Sequence, residues 1–295
     1  MRFDHEEGST NSGLEDRTCN LCGARNFKVE LRIGPRLLVS CTACSLVTTH
    51  PLPSEDQVRA VYETDNYFET PYFEIDDEQH LTVHYGHFLK VADLVGRECL
   101  PHGKVLEIGP GNGAFLKLCL NRGIDIEGLD LSSRVAQDLA ERLGCFVEHG
   151  TIEERSASSG GYAAVVAFDV IEHCLNPAEW LKSIHAALKP RGLLAISTIN
   201  VRNALNKTAR LLYRAGYRRA VKKLYPPYHI YYFTPDILKR YLEKSGFSVI
   251  STEQENYDVR KASSALFEQL ALRCIYQWQN MTGNKTNLYV IARRN

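Results

Sequence analysis

From Lys104 onward, short apolar runs alternate with longer segments whose apolar positions recur every three or four residues. The short runs predict strands, and the longer segments predict helices. The predicted strands cover residues 105–108, 124–130, 145–148, 162–168, 193–198, 247–251 and 288–293. The predicted helices cover residues 112–122, 132–143, 177–188, 235–245 and 258–282. Repeated strand–helix units of this length are typical of an α/β fold with an open parallel sheet and helices on both faces.

A different pattern precedes this alternation. Residues 27–33 alternate apolar and polar side chains, residues 34–35 are Gly-Pro, and residues 37–39 form a second apolar run. These features predict a β-hairpin. An N-capped helix is predicted over residues 54–62, and an amphipathic helix over residues 78–99.

Two Cys-x-x-Cys pairs flank the predicted hairpin. Cys19 and Cys22 form the first pair, and Cys41 and Cys44 form the second after a gap of eighteen residues. Four thiolates at this spacing match a tetrahedral zinc site better than a redox dithiol. About 30 residues bury too little surface to fold alone, so the metal would supply the missing free energy. Because cysteine fills all four positions, we expect a structural zinc with no place for a catalytic water.

Composition and charge narrow the class of protein. The formal net charge is zero over 295 residues, which gives no whole-molecule field for nucleic acid. Residues 1–18 are polar and lack the apolar core of a signal peptide, and nine cysteines without such a signal argue against a disulfide framework. We therefore expect a cytoplasmic protein with a disordered N-terminal tail.

Three glycines follow the first strand of the alternating region. In the stretch 105–115, Gly109, Gly111 and Gly113 lie where the strand turns into a helix. Glycine allows a tight turn and lets a ligand touch the main chain. Asp130 ends the second strand, where a carboxylate can accept hydrogen bonds from both ribose hydroxyls. The two features fit a dinucleotide of the nicotinamide or flavin type as well as a single nucleoside.

Three further features favour a nucleoside that carries a positive charge. Glu107 stands two residues before Gly109, where its carboxylate would repel a pyrophosphate and tolerate a cation. The loop 150–153 follows the third strand and could flank an adenine ring. The stretch 168–173, Phe-Asp-Val-Ile-Glu-His, places polar groups after the fourth strand.

In this order, the motifs E-x-G-x-G-x-G, Asp130, D-V-I-E-H and L-K-P-R-G-L-L-A-I-S-T closely resemble the class I S-adenosylmethionine-dependent methyltransferases. The resemblance covers roughly residues 80–295. The N-terminal part of the chain resembles a zinc-ribbon subgroup of bacterial methyltransferases associated with sugar, polysaccharide or secondary-metabolite pathways. Members of that subgroup commonly carry P-x-H-x-x-x-F, which residues 227–233 match.

The resemblance implies a seven-stranded Rossmann-like sheet, S-adenosylmethionine as cofactor, and a set of cofactor-binding residues. Glycines 109, 111 and 113 would approach the methionine part, and Glu107 would orient it. Asp130 would bind the ribose hydroxyls, Ile152 would lie beside the adenine, and Asp169 would lie near the methionine amino group. The loop 150–153 departs from the family pattern, because it lacks the acid that would contact the adenine amino group.

His173 and His229 are the candidate catalytic residues, because histidine alone has a pKa near neutrality without tuning. Each has a simpler interpretation: His173 as a packed residue at the strand–helix junction, and His229 as a member of an aromatic cluster. Glu172 is interpreted as a structural partner. Three histidines on one helix face, His80, His84 and His87, are interpreted as solvated or lid residues, with a metal site as the alternative.

The segment 201–228 is basic. No acid occurs between Trp180 and Pro235, and the basic residues concentrate in this insertion after the fifth strand. Leu205, Leu212 and Tyr217 predict helices with one buried stripe. A basic lid favours a small anionic acceptor such as a sugar, nucleotide-sugar or lipid-linked intermediate. Contact with an anionic membrane surface, docking to RNA and a merely solvated face are the alternatives.

The sequence thus predicts a disordered tail over residues 1–18, a zinc ribbon over 19–53, a helical connector and cofactor lid over 54–100, and a methyltransferase domain over 101–295. The predicted activity is methyl transfer to a small acceptor. An RNA methyltransferase that docks through the ribbon and the basic insertion is the first alternative. A non-enzymatic zinc-binding interaction module is the second.

Overall fold

The computed structural model describes residues 14–62, 86–99, 103–155, 161–256 and 266–295. Its N-terminal part contains three strands and two helices: β1 (Phe27–Ile33), β2 (Arg36–Cys41), β3 (Val47–His50), α1 (Glu55–Tyr62) and α2 (Gly86–Cys99). The predicted start of α2 at residue 78 lies outside the described residues. Residues 1–13 of the predicted tail also lie outside the described residues. Arg17, which belongs to the same predicted tail, donates hydrogen bonds to Thr48 and Thr49 of β3.

Strands and helices alternate through the rest of the chain. The first group is β4 (Val105–Ile108), α3 (Ala114–Asn121), β5 (Ile126–Asp130), α4 (Ser133–Leu143), β6 (Val147–His149), α5 (Ile152–Arg155), β7 (Tyr162–Phe168), α6 (Pro177–Ala187) and β8 (Leu188–Ile199). The second group is α7 (Ala204–Arg214), α8 (Arg219–Leu224), β9 (Tyr231–Tyr232), α9 (Pro235–Lys244), β10 (Phe247–Glu255), α10 (Leu266–Thr282) and β11 (Asn287–Arg294). A 3-10 turn over Ile171–His173 follows β7.

Seven strands form the large sheet in the order β10-β11-β8-β7-β4-β5-β6. The predicted seven-stranded α/β fold is therefore confirmed. One strand differs from the parallel prediction: β11 runs antiparallel between β10 and β8, so the sheet is mixed. After β4, the chain adds β5 and then β6 on one side of that strand. It then crosses back and adds β7 on the other side of β4. In sheets with such a change of direction, ligands bind at the carboxyl ends of the strands beside it, which here are β4 and β7.

The period-two alternation of strand side chains divides the core between the two faces of this sheet. On β7, Val165 packs into one apolar cluster and Val166 into the other. Both side chains are fully buried. Because both faces of β7 are covered, its sequence is a continuous apolar run rather than an alternation of apolar and polar residues. Ser132 caps α4 through its hydroxyl, and Gly144 ends that helix in the left-handed conformation.

The ribbon strands form a second sheet that includes a strand from the far end of the chain. Its order is β1-β2-β3-β9, with Val47 opposite Tyr232 and Thr48 opposite Tyr231. Cys41 and Leu46 of the ribbon share one apolar cluster with Trp180 of α6. The ribbon is therefore packed into the same core as the large sheet.

The basic insertion packs against the ribbon hairpin. Ala209 of α7 and Val221 of α8 are buried against Leu31 and Leu38 of the hairpin. The predicted buried stripe is wrong, because Leu212 and Tyr217 are 40% and 47% exposed, and Leu205 is only half-buried.

Several cations of the insertion are engaged in ion pairs. Arg202 pairs with Asp236 at 2.6 Å, and Lys223 lies 3.5 Å from Glu268. Arg210 lies 3.8 Å from Glu30. Part of the positive charge that favoured an anionic partner is therefore offset within the chain. Among the described helices, none combines the length and apolar character needed to cross a membrane.

Candidate active site

The three glycines of the turn after β4 adopt a backbone conformation that favours glycine. Gly109, Gly111 and Gly113 have φ angles of 66°, 55° and 78°, in the left-handed region. A Cβ atom on Gly109 would lie 2.7 Å from the Val170 side chain, and one on Gly113 would lie 2.5 Å from the Leu139 side chain. The strand-to-helix turn is therefore bare main chain, held close to its neighbours.

Asp130 is the last residue of β5 and is fixed against this turn. Its Oδ1 accepts a hydrogen bond of 2.8 Å from the backbone N–H of Ser132, and the backbone N–H of Gly111 also bonds the carboxylate. The side chain is only 8% exposed. Burial raises its pKa to about 6, although the two N–H groups oppose the shift.

Glu107 lies within β4 as a buried acid. Its Oε2 has no hydrogen-bond partner among the described residues. Burial raises the pKa of this carboxyl well above its usual range, and the neighbouring Asp130 charge adds to the effect. An unsatisfied buried oxygen costs about 1–3 kcal/mol, so this atom marks a place where a polar ligand or water would be stabilising.

Asp169 and Ile152 complete the strand-end residues predicted to face the cofactor. Asp169 follows β7 with a φ angle of 55°, and Ser197 of β8 donates a 2.8 Å hydrogen bond to its Oδ1. Ile152 begins α5 and is almost fully buried. A capping box between Thr151 and Glu154 fixes the start of this short helix.

His173 and His229 lie side by side although 56 positions separate them in the chain. Their ring centroids are 4.8 Å apart in an edge-on arrangement. The backbone N–H of Ile230 donates to the carbonyl of Glu172 at 2.8 Å, which draws the segment before β9 to the end of β7. No sequence pattern encodes this contact, because it depends on one backbone hydrogen bond between distant segments.

The ring of His173 has a defined tautomer. Its Nδ1 lies 3.0 Å from the carbonyl oxygen of Tyr228, and a carbonyl can only accept, so Nδ1 carries the proton. In the neutral ring, Nε2 then holds the lone pair. The Tyr228 ring stacks on His173 with centroids 5.6 Å apart, and the Tyr62 ring meets it edge-on at 6.2 Å.

Burial favours the uncharged form of both imidazoles. Burial lowers the pKa of His173 to about 4, against the opposing effect of the Tyr228 and Asp169 carbonyls. Burial also lowers the pKa of His229 well below its usual range, and the proximity of His173 and of the Arg36 charge acts in the same direction. A base of such low pKa is weak, so proton removal by either ring alone would be inefficient.

Glu172 lies directly beside this pair and is fully buried. Its Oε2 accepts a 2.9 Å hydrogen bond from the Thr198 hydroxyl, whereas Oε1 has no partner among the described residues. Burial, followed by the charge of Asp169, raises its pKa to about 8. Glu172, His173 and His229 each place one ligand atom within 4.8 Å of the others.

A cavity of about 350 Å³ adjoins the histidine pair. Its walls come from the ribbon, α1 and the segment before β9, and include Pro35, Leu52, Pro53, Tyr62 and Tyr228. Tyr62 and Tyr228 are the same side chains that contact the His173 ring. Two of the side chains that line the cavity therefore contact His173, and the cavity walls are mainly apolar.

The four cysteines of the ribbon converge on one point. Their Sγ atoms all lie within 4.8 Å of one another, with Cys19–Cys44 at 3.5 Å and Cys22–Cys41 at 3.6 Å. Tetrahedral thiolates about 2.3 Å from a zinc ion are about 3.8 Å apart, so the cluster fits zinc. Each Cys-x-x-Cys turn is closed by a backbone hydrogen bond and followed by a residue of positive φ, Gly23 or Ser45.

Residues 84–252 match the family model for a methyltransferase domain. This match covers more than half of the chain and includes the glycine turn, Asp130 and the histidine pair. The chain belongs to the methyltransferase domain family. The predicted resemblance to class I S-adenosylmethionine-dependent methyltransferases is thereby confirmed, and the ribbon strands lie outside the match.

Among curated relatives, the ubiquinone biosynthesis O-methyltransferase of Roseobacter denitrificans is 29% identical to this methyltransferase over 165 residues. The aligned part is 54% of this chain and 65% of that protein. The chain spans only 41% of the length of the corresponding protein from Cereibacter sphaeroides. These matches therefore concern a shared part of the proteins.

Solved structures show the same fold. Magnesium protoporphyrin IX methyltransferase from Synechocystis PCC 6803, with bound S-adenosylhomocysteine, has a TM-score of 0.55 and 16% identity, covering 82% of this chain and 100% of that chain. The 1,6-didemethyltoxoflavin-N1-methyltransferase of Burkholderia thailandensis, also with S-adenosylhomocysteine, has a TM-score of 0.53 and 15% identity, covering 91% and 99%. At these identities the likeness concerns the fold.

One of the three histidines, His87 in α2, differs from the solvated interpretation. His87 is buried rather than solvated, since its ring packs 4.2 Å from that of Tyr289 and 5.5 Å from that of Phe168. His80 and His84 lie outside the described residues. The contact between Tyr62 and His173 could not be predicted from the sequence, because an isolated aromatic residue at the end of a helix is not part of any recognisable motif.

The raised pKa of Asp130 predicts a pH-dependent gain in stability when its charge is removed. The folded-state pKa rises from the ordinary 3.8 to about 6, so the stabilising contribution of this carboxyl is complete below pH 3.8 and disappears as the pH rises through 6. Without ligand, we expect Asp130→Asn to be more stable than the parent by about 1–3 kcal/mol at pH 7.5, with no difference below about pH 4. Urea unfolding at several pH values measures this. Asp125→Asn, an exposed acid just before β5, is the control, and a destabilised Asp130→Asn at pH 7.5 would contradict the analysis.

Proposed function

We propose that this methyltransferase transfers the methyl group of S-adenosylmethionine to a hydroxyl oxygen of a small organic acceptor. The proposal rests on the location of two sites at the carboxyl ends of neighbouring strands of the large sheet. The glycine turn and Asp130 lie at the ends of β4 and β5, and the histidine pair lies at the end of the adjacent strand β7.

The strand-end residues suit this cofactor. The three glycines of the turn expose main chain without side chains, and the buried Asp130 carboxylate suits the two hydroxyls of a ribose. The orphaned Oε2 of Glu107 would accept a hydrogen bond from the methionine part, directly or through water. Ile152 would pack beside the adenine, and Asp169 would face the methionine amino group. When bound, S-adenosylmethionine supplies an activated methyl group on a positively charged sulfur.

The acceptor would occupy the cavity between the ribbon and the segment before β9. Its proline, leucine and tyrosine walls favour an acceptor with an apolar or aromatic body, which a phenolic or lipid-linked hydroxyl provides. The printed name of the ubiquinone biosynthesis relatives is in keeping with such an acceptor. A nucleotide-sugar, which the basic insertion favoured, fits these walls less well because part of that positive charge is paired within the chain.

The chain's own residues would mainly align the reactants and exclude water. The bond from sulfur to the methyl carbon breaks as the bond from the acceptor oxygen to that carbon forms. The hydroxyl proton is released to solvent, so the products are a methyl ether, S-adenosylhomocysteine and a proton. Alignment in a closed site is worth several kcal/mol of the barrier. His173 and His229 would be the groups that contact the acceptor hydroxyl.

We also propose that Cys19, Cys22, Cys41 and Cys44 bind a structural zinc ion. The support is the convergence of four sulfurs at distances suited to one tetrahedral ion. Because Cys41 and Leu46 share a core cluster with Trp180, the metal would stabilise the whole chain as well as the ribbon.

Cofactor binding depends on Asp130 in this proposal. We expect Asp130→Ala to weaken S-adenosylmethionine binding about 100-fold, because two hydrogen bonds to a carboxylate are lost. Isothermal calorimetry at pH 7.5 measures the affinity, with Asp125→Ala as the control that leaves it unchanged. The absence of binding by the native protein, or unchanged binding by Asp130→Ala, would refute the proposal.

Zinc binding predicts a global effect of one cysteine. We expect Cys41→Ser to lose its zinc and to lower the melting temperature of the chain in a single transition, followed by the fluorescence of the buried Trp180. Cys274→Ser, at an exposed cysteine, should change neither property. If Cys41→Ser keeps full zinc content, the four-thiolate assignment is wrong.

A further inference from the structure

Three potential metal ligands meet beside Tyr62 and Tyr228, two side chains that line the proposed acceptor cavity. Glu172 and His173 belong to the turn after β7, and His229 belongs to the segment before β9. One ligand atom from each lies within 4.8 Å of the others. This separation permits one ion to contact all three. The cluster is distinct from the four thiolates of the ribbon.

Two atoms of this cluster are orphaned. Oε1 of Glu172 and Nδ1 of His229 are buried and have no hydrogen-bond partner among the described residues. Each such atom costs about 1–3 kcal/mol unless a ligand satisfies it. Two buried polar atoms without a partner, on neighbouring side chains, point to a shared ligand between them.

The third residue is oriented in the way that metal-binding histidines generally are. The Nδ1–H of His173 donates to the Tyr228 carbonyl at 3.0 Å, so Nε2 is the ring nitrogen that would ligate a metal ion. A hydrogen bond of this kind fixes the tautomer and the ring plane of a metal ligand. The Thr198 hydroxyl orients the Glu172 carboxylate similarly through Oε2 at 2.9 Å.

We infer that Glu172, His173 and His229 bind a divalent transition-metal cation at the acceptor site. Two imidazoles and one carboxylate suit Mn²⁺, Fe²⁺, Co²⁺ or Zn²⁺, whereas Mg²⁺ prefers an all-oxygen set. Three protein ligands leave coordination positions open for a substrate oxygen.

The role of this cation rests on the proposed function. A hydroxyl bound to a divalent cation loses its proton to solvent at much lower pH than a free hydroxyl, and the oxygen then attacks the methyl carbon. The products and the released proton are the same as in the uncoordinated reaction. Glu172, interpreted from sequence as a structural partner, becomes a ligand.

Titration of the full-length protein with Mn²⁺ tests the inference, because electron paramagnetic resonance distinguishes free from bound Mn²⁺. Thiolate sites bind Mn²⁺ weakly, so the ribbon does not interfere. We expect one saturable site in the native protein, displaced by added Zn²⁺. Glu172→Gln and His229→Ala should each weaken Mn²⁺ binding at least tenfold, whereas His149→Ala, at an exposed histidine, should leave it unchanged.

Two further measurements separate loss of the site from loss of the fold. Both ligand variants should keep the ribbon zinc and the S-adenosylmethionine affinity of the parent, and His229→Ala decides the matter if Glu172→Gln does not fold. Absence of saturable Mn²⁺ binding by the native protein, or unchanged binding by His229→Ala, overturns the inference while the methyltransferase proposal stands. Intact Mn²⁺ binding without S-adenosylmethionine binding would instead overturn the proposed function.

Discussion

The site depends on the burial of carboxylates near the carboxyl ends of the strands of the large sheet. Glu107, Asp130 and Glu172 are nearly or fully buried, and none of them forms an ion pair within the described part of the chain. Burial raises the pKa of all three. Uncompensated acids lower the stability of the fold, and a cationic ligand restores what is lost. A sulfonium beside β4 and β5 and a divalent cation beside β7 would provide that compensation.

Buried acids in the same fold need not carry this cost. Glu127 lies on β5 three residues before Asp130, and it pairs with Lys104 at 2.9 Å and with Arg155. The two carboxylates differ in which end of the strand they occupy. The paired acid lies near the amino end of β5, and the unpaired acids lie near the carboxyl ends of their strands, where ligands of such sheets bind. The distribution of partners thus separates structural from functional acids.

The sequence predicts the features that local pattern and spacing determine. The strand–helix alternation locates the sheet elements, because period-two and period-3.6 burial follow from backbone geometry. The glycine turn and the Cys-x-x-Cys turns could be predicted because Gly23 and Gly109 supply a backbone conformation that other residues adopt with strain. The left-handed Ser45 carries no such signal, and its role emerges only from the second cysteine turn.

Features that depend on contacts between distant segments could not be predicted. The two-residue strand β9 has no periodicity, yet it joins the ribbon to the rest of the chain. The helices of the insertion bury Ala209 and Val221 rather than Leu212, because the hairpin surface decides which face is covered. The meeting of His229 with Glu172 and His173 depends on the hydrogen bond from Ile230 to Glu172. The candidate cofactor residues and both histidines could therefore be named from the sequence, whereas the contact between His229 and the end of β7 required the structure.

A crystal structure of the protein with S-adenosylmethionine tests the central claim most directly. We predict the ribose hydroxyls within hydrogen-bond distance of Asp130, the methionine part against Gly109–Gly113, and the sulfonium methyl directed toward the end of β7 beside His173. Density for the nucleoside elsewhere, or a crevice that accepts a pyrophosphate in preference to the sulfonium compound, would contradict the account.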